Sequence, residues 1–378
     1  MPAHGTLESE TPLQGGRMTM SKDDTERSTR TYRVVQWATG NIGMRSLRAV
    51  LVHPSLSLVG LYVHSETKAG RDAGELCGLG TAGVKATRSI DEIVALQADC
   101  VLYMQQSCNF DEICRLLASG ANVVTTRGEF HNPDSLDPAV RSRVEDACRR
   151  GNSSIHSTGI SPGFITEALP LLLTSIQRRL DSLRIHEFAD VSSRDSPTLL
   201  FQIMGFGQPP MPQANEARAQ YLGHAFGPSL QVVAHAIGLP LDSIEAKGEV
   251  ATARRDVQIA AGVIGAGTVA AQRTIISGIR KGKPLMSFSA NWYCSKEIEA
   301  DWDLRQTGWH VEVAGDTPLD IDIRFPVPAE RWAEVSPNLT AHRPINAIPY
   351  VCAAAPGIRT TVDLPQIIAD LSEPAISS

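Results

Sequence analysis

The sequence predicts an α/β protein: a doubly wound parallel sheet followed by a second α+β domain built on an open mixed sheet. Three observations predict it. From residue 32 to about 160, short β-rich runs alternate with segments of helical periodicity. A glycine-containing turn, Thr39-Gly40-Asn41-Ile42-Gly43, lies between the first such run and the first helical pattern. Beyond residue 160 the alternating runs lengthen and are joined by tight-turn sequences, the signature of antiparallel pairing.

The elements follow in order. Arg33-Val34-Val35-Gln36-Trp37-Ala38 is a β-rich run, and Ile42, Leu47, Val50 and Leu51 mark one face of a helix that stops before His53-Pro54. Residues 56–63 form a second apolar run, so residues 32–64 read as βαβ with a right-handed crossover. A loop over 65–83 holds five glycines. Then come a short helix over 91–96, a strand over 99–104, a helix over 110–119 stopped by Gly120, a strand over 121–126, and a helix over 136–150 stopped by Gly151. In the second half, residues 183–191 alternate like a half-buried strand, and residues 213–239 have helical spacing. Residues 268–278 and 284–292 flank the hairpin turn Arg280-Lys281-Gly282-Lys283, and residues 309–313 and 319–323 flank a second one. Residues 343–354 are a helical apolar segment closed by Pro356-Gly357, expected to pack back on the first domain. The expected division is a disordered polar tail over 1–31, a doubly wound domain over 32–160, a second domain over 161–335, and a returning segment over 336–378.

Composition narrows the function. The chain has 378 residues, is 42% hydrophobic and 20% charged, and carries a net charge of −6. A chain of this size buries a core without disulfides or a structural metal. Its mild acidity argues against nucleic-acid backbone binding. Its apolar runs are too short for a membrane span, and the polar N-terminus lacks the apolar stretch of a signal peptide. Seven scattered cysteines without a CxxC pair point to buried thiols in a reducing compartment, hence a cytoplasmic protein. No His, Cys or carboxylate spacing suggests a metal, and no G-x-S-x-G suggests a serine nucleophile.

The chemistry is carried by Ala38-Thr39-Gly40-Asn41-Ile42-Gly43, which is G-x-G-x-x-G with Ala at its first position. The middle glycine lets backbone N–H groups approach a pyrophosphate at a helix N-terminus, and the last lets helix and strand pack closely. A similar string, Gly265-Ala266-Gly267-Thr268-Val269-Ala270, leads into β-rich sequence and reads as a strand turn. After the second strand, His64 and Ser65 occupy the ribose positions, and Lys68 and Arg71 can bind a 2′-phosphate, so NADP(H) is favoured. The other reading makes Lys68 and Arg71 solvated charges and Glu66 the ribose ligand of NAD(H). Met104-Gln105 and Thr125-Thr126 end the next two strands and can pass the nicotinamide ribose. Glu129 then faces the nicotinamide region as a proton-exchanging carboxylate, or else lies on a solvated loop or caps a helix. His131 and His156 can each donate to a substrate or serve as hydrogen-bonded structural histidines. Phe164, Phe201, Met204 and Phe206, in the segments joining the domains, are candidates for the substrate pocket.

These residues resemble a known family. Residues 35–43, then Ala69-Gly70-Arg71-Asp72-Ala73-Gly74-Glu75-Leu76, are similar to the N-terminal part of dihydrodipicolinate-reductase-like proteins. With Thr158-Gly159-Ile160-Ser161-Pro162-Gly163-Phe164, Met204-Gly205-Phe206-Gly207 and Asn346-Ala347-Ile348-Pro349, the chain more closely resembles the 2,4-diaminopentanoate dehydrogenases and native amine dehydrogenases. The resemblance implies a Rossmann domain, a homodimer, a cofactor contact at Asn346, and reductive amination of a ketone or aldehyde with ammonia, or its reverse. It also implies that Glu129 holds ammonia and shuttles protons. The family usually has Gly where this chain has Ala38, and the histidine pair and lysine segment of dihydrodipicolinate reductase itself are missing. Two other functions fit the residues: reduction of a carbonyl or imine without ammonia, and a non-catalytic NADP-binding sensor.

Overall fold

The computed structural model describes residues 30–372, so the expected tail lies, but for its last two residues, outside the described residues. Strands β1 (Tyr32–Trp37), β2 (Leu56–Tyr62), β3 (Ala86–Thr87), β4 (Cys100–Tyr103), β5 (Asn122–Thr125), β6 (Ser154–Ser157) and the late β15 (Gly357–Arg359) form one sheet. Its order is β15-β6-β5-β4-β1-β2-β3, and every pairing is parallel. The order reverses between β1 and β4, which opens a crevice at their carboxyl ends. This is the doubly wound Rossmann arrangement the sequence predicts.

Helices cover both faces. On one, α3 (Ile90–Ala95), α4 (Phe110–Ala118) and α5 (Pro138–Gly151) bury Ile93, Ile113, Leu116, Leu117 and Val144 against Val35, Val101 and Val123. On the other, α1 (Asn41–Val52) and the long α8 (Ala329–Ala353) bury Val50, Ile345, Ile348 and Val351 against Val34, Leu102 and Val124. Each fully buried aliphatic side chain of this kind is worth roughly 1.5–3 kcal/mol relative to exposure. Helix α5 ends at Gly151, where the sequence places the stop, but the left-handed cap is taken by Asn152, with φ 50°. Gly151 serves packing instead, because a Cβ there would lie 1.9 Å from the Leu117 carbonyl oxygen. Helix α8 starts well before residue 343 and spans the boundary expected at 335, despite Pro337, Pro344 and Pro349 inside it. Each proline removes one N–H and would ordinarily break a helix, but the apolar residues between them are buried against the sheet.

The second sheet is mixed, in the order β14-β13-β7-β12-β11-β8. It comprises β7 (Leu180–Asp190), β8 (Ser243–Thr252), β11 (Val269–Arg280), β12 (Lys283–Tyr293), β13 (Gly308–Gly315) and β14 (Leu319–Arg324). The turn between β11 and β12 is Lys281-Gly282, both with positive φ (51° and 71°), as the tight hairpin requires. A small ribbon, β9 (Val257–Ile259) with β10 (Gly262–Ile264), precedes β11, and Gly265–Gly267 is the strand turn expected there. Three further helices complete the two domains: the short α2 (Ala73–Cys77) in the first, and α6 (Leu169–Thr174) and α7 (Pro212–Ala236) in the second. Leu222, Phe226, Leu230 and Val233 of α7 pack on Leu183, Ile185, Ile276 and Phe288 of the sheet, with Phe226 stacked on Phe288 at 4.2 Å. No helix among the described residues is long and apolar enough to cross a membrane.

Two local features make measurable predictions. Ala38 holds φ 70° immediately after β1, a left-handed conformation that strains a residue with a Cβ by about 1 kcal/mol or more. Ala38→Gly is expected to stabilise the chain by about 0.5–1 kcal/mol in urea denaturation; a loss of stability would contradict the strain. At the sheet edge, His156 of β6 donates from Nδ1 to the Arg359 carbonyl of β15 at 2.7 Å. Burial pushes this imidazole down from its ordinary 6.5 to about 4. Between those values the unfolded chain binds a proton that the folded chain does not. Stability therefore falls as the pH drops through that window, by up to about 1.4 kcal/mol per pH unit. Urea titrations across the window should show this slope, and His156→Asn should flatten it; an unchanged slope would contradict the assignment.

Candidate active site

The turn after β1 has the form a dinucleotide needs. Gly40 caps α1 with extended backbone and no side-chain cap bond, leaving the first N–H groups of the helix uncovered by side chains. A Cβ on Gly40 would meet nothing within 4 Å, whereas one on Gly43 would sit 2.3 Å from the Ala38 carbonyl oxygen. The middle position is thus open for close approach and the last is closed by strand–helix contact. Thr39, Asn41 and Ile42 complete the turn and the first residues of α1.

Side chains beyond the second strand gather on this turn. Lys68 donates from Nζ to Thr39 Oγ1 at 3.0 Å and to the Thr39 carbonyl at 3.2 Å. His64 Nε2 lies 2.8 Å from Gln105 Oε1, which also accepts from the Trp37 indole at 3.1 Å. Trp37 itself stacks on Tyr62 at 3.7 Å, so the aligned ends of β1, β2 and β4 hold Gln105 in place. Ser65 and Thr67 share a hydroxyl contact at 2.7 Å, and Arg71 is exposed. Glu66 is 83% exposed and paired with Arg88 at 2.7 Å. It is turned to that partner rather than held free for a ribose.

The carboxyl ends of β4 and β5 carry the second part of the site. Arg127 donates to Glu129 Oε1 at 2.9 Å and also to the Gln106 carbonyl. The other carboxylate oxygen, Glu129 Oε2, is enclosed and has no hydrogen-bond partner among the described residues. Burial opposes the charge on Arg127, but the hydrogen bond and charge of Glu129 outweigh it and raise its pKa. Burial first, and then the Glu129 carboxylate, push the nearby Cys108 thiol up to about 12, so it is an inert neighbour. Beside the pair a cleft of about 940 Å³ opens between the domains, lined by Thr126, Arg127, Glu129, Pro162, Tyr221 and Ile244 among others. An enclosed carboxylate oxygen with a vacant acceptor position can take an N–H from a bound ammonium or amine.

Not every expected residue reaches this site. Phe206 is fully buried in a core with Leu200, Ile259, Ile264 and Tyr293, and Phe201 and Met204 pack against that core. They support the second sheet instead of lining the cleft, because burying large apolar side chains under β11 outweighs leaving them at an open wall. Phe164 packs on the α7 side of the sheet, with the Arg343 guanidinium 5.5 Å above its ring. Met104 is also a core residue, 6% exposed, so only its backbone stands at the strand end. Asn346 lies half-buried on α8 between the buried Ile345 and Ala347. His131 does not face the cleft; its ring is buried against Glu167 at 2.5 Å. Arg127 and Glu167 escaped the sequence reading. The signal for Glu167 was a lone charge in the apolar run Ile165-Thr166-Glu167-Ala168-Leu169.

Comparison with known proteins agrees with this architecture. Residues 164–375 match the 2,4-diaminopentanoate dehydrogenase C-terminal domain, which is more than half of the chain. An amine dehydrogenase of Streptomyces virginiae is 29% identical over 88% of this chain and 95% of its own length. A 2,4-diaminopentanoate dehydrogenase of Acetoanaerobium sticklandii is 24% identical over 73% of this chain and 76% of its own length. The structure of an amine dehydrogenase from Mycobacterium smegmatis has the same fold, with a TM-score of 0.71, 19% identity, and coverage of 90% of this chain and 98% of that one. The resemblance carried by residues 35–43, 69–76, 158–164, 204–207 and 346–349 is therefore borne out, and the chain belongs to the 2,4-diaminopentanoate dehydrogenase family.

Proposed function

We propose that the protein is an NADP(H)-dependent amine dehydrogenase that converts a ketone or aldehyde and ammonia into an amine, or runs the reverse deamination. The observation that carries the reading is the Glu129 carboxylate beside the interdomain cleft, with Oε1 held by Arg127 and Oε2 unpartnered. A carboxylate held on one oxygen by Arg127 can turn the other, which the fold encloses, to the N–H of an ammonium entering from the cleft. It can take one proton from the ammonium, freeing the lone pair that attacks the carbonyl, and pass it to the alkoxide; it can then take a second from the nitrogen and give it to the resulting hydroxyl, which leaves as water and so leaves the iminium. The cofactor, when bound, supplies the hydride that reduces the resulting iminium. Gly40, Asn41 and Ile42 would hold its pyrophosphate at the start of α1, and Thr126 and Asn346 would flank its nicotinamide end. The apolar wall of Pro162, Tyr221, Ala225 and Ile244 would exclude water from the reacting carbon.

The preference for NADP(H) rests on Lys68 and Glu66. Lys68 lies on the turn through Thr39, where its ammonium can also meet a 2′-phosphate. Glu66, which would select a free ribose hydroxyl, is engaged by Arg88. Two copies of the chain would form the working unit, meeting through the sheet face opposite Leu183 and Ile185, where Arg184 is paired with Glu312 and His186 lies beside His310.

Two measurements test the reading. Glu129→Gln is expected to lower ammonium-dependent NADPH oxidation by about 100-fold or more, the loss typical of a general acid–base, while NADPH binding stays within about twofold. Turnover at the wild-type rate would overturn the role of Glu129. Lys68→Ala should weaken NADPH binding by about tenfold, the worth of one charge-assisted contact, and leave NADH binding unchanged. Equal effects on both cofactors in a fluorescence titration would remove the NADP(H) assignment.

A further inference from the structure

Behind the Glu129 turn lies a fully buried carboxylate that the chemistry above does not use. Glu167 Oε1 accepts from His131 Nδ1 at 2.5 Å and from the Ser229 hydroxyl, and Oε2 accepts from the Thr361 hydroxyl. These donors come from three separate parts of the chain. His131 ends the turn Gly128–Phe130 that bears Glu129, Ser229 lies on α7 of the second domain, and Thr361 follows β15. Ser229 is further fixed by Thr166 at 2.9 Å, whose hydroxyl accepts from the Gly163 N–H at 3.0 Å.

The charge at this position has a reason. A carboxylate is an acceptor on both oxygens and satisfies three donors at once; a glutamine would present N–H groups to at least one of them. Burial alone would raise the Glu167 carboxyl, but His131 and the hydroxyl donors outweigh it and hold its pKa below the usual carboxylate range. His131 is 1% exposed, so its ring cannot swing out to water and leave the turn free.

We propose that Glu167 is a positioning residue: from a buried anchor shared with α7 and the C-terminal segment, it holds His131 and thereby fixes the turn that presents Glu129 to the cleft. This rests on the role given to Glu129 above. A general base displaced by about 1 Å can lose a hundredfold in rate, so the tie acts on the chemical step and not on cofactor binding, which is built on the turn after β1.

The test uses the full-length protein and Glu167→Gln, with Thr361→Val as a milder second variant. Hydrogen exchange reads the His131 amide, which donates to the Gly128 carbonyl at 3.3 Å and closes the turn. Steady-state kinetics at saturating NADPH and ammonium read kcat and KM for a ketone. Glu167→Gln should speed exchange at the His131 amide by about tenfold or more through local opening. It should also lower kcat by about tenfold or more with the NADPH Kd within about twofold. Thr361→Val, which keeps the charge and the His131 bond, should show the same pattern at smaller amplitude, and it carries the test if the glutamine variant does not fold. Wild-type exchange at the His131 amide, or a parallel loss of kcat and NADPH binding, would overturn the proposal. If Glu129→Gln itself keeps full activity, the functional reading fails, while the exchange measurement still decides whether Glu167 holds the turn.

Discussion

The reversal of strand order between β1 and β4 is the constraint on which the rest of the molecule depends. In a parallel sheet each crossover is right-handed, so the chain can change direction only by returning to the middle of the sheet. That return leaves one place where neighbouring loops diverge, above β1 and β4. Ala38, Gly40 and Gly43 follow β1 on one side of it and Gln105 follows β4 on the other, with His64, after β2, hydrogen-bonded to Gln105. The left-handed Ala38 and the tight contact at Gly43 let α1 start immediately after β1, so its first N–H groups point into the crevice.

The part of the cleft around Glu129 depends on a second constraint, the burial of charge between the domains. Burying an ion is costly unless partners replace its water. Arg127 and Glu129 compensate one another at the cleft, while Glu167 deeper in finds His131, Ser229 and Thr361. The two sites share the turn over 127–131, so the geometry of the half-buried pair is tied to the satisfaction of the fully buried one. The second domain contributes α7 to the cleft wall: Tyr221 and Ala225 line the cleft with Glu129, from the helix whose adjoining face buries Leu222, Phe226 and Leu230.

Legibility in the sequence follows the range of the interactions. The run over 32–64 could be read because strand period, turn glycines and helix period all lie within about thirty residues of chain. The Lys281-Gly282 hairpin was readable for the same reason, its φ values being dictated by the turn itself. The start of α8 was not, since Pro337, Pro344 and Pro349 contradict a helix locally and only burial on the sheet overrides them. Phe201, Met204 and Phe206 were apolar residues near a domain junction, and nothing local tells a core from a pocket wall. Glu167 meets partners 36, 62 and 194 residues away, distances at which a single sequence carries no pattern. Glu129 could be proposed from its position after β5 and from resemblance, whereas its ion-pair partner Arg127, two residues away, needed the folded turn.

The central claim is that the protein makes a carbon–nitrogen bond with ammonia and reduces it. The most direct measurement supplies NADPH, a carbonyl compound and ¹⁵N-labelled ammonium, and follows the product by mass spectrometry. The expected product is an amine carrying ¹⁵N, formed in step with NADPH consumption and dependent on ammonium. An alcohol formed at the same rate without ammonium, or NADPH binding with no product from any carbonyl tried, would contradict it.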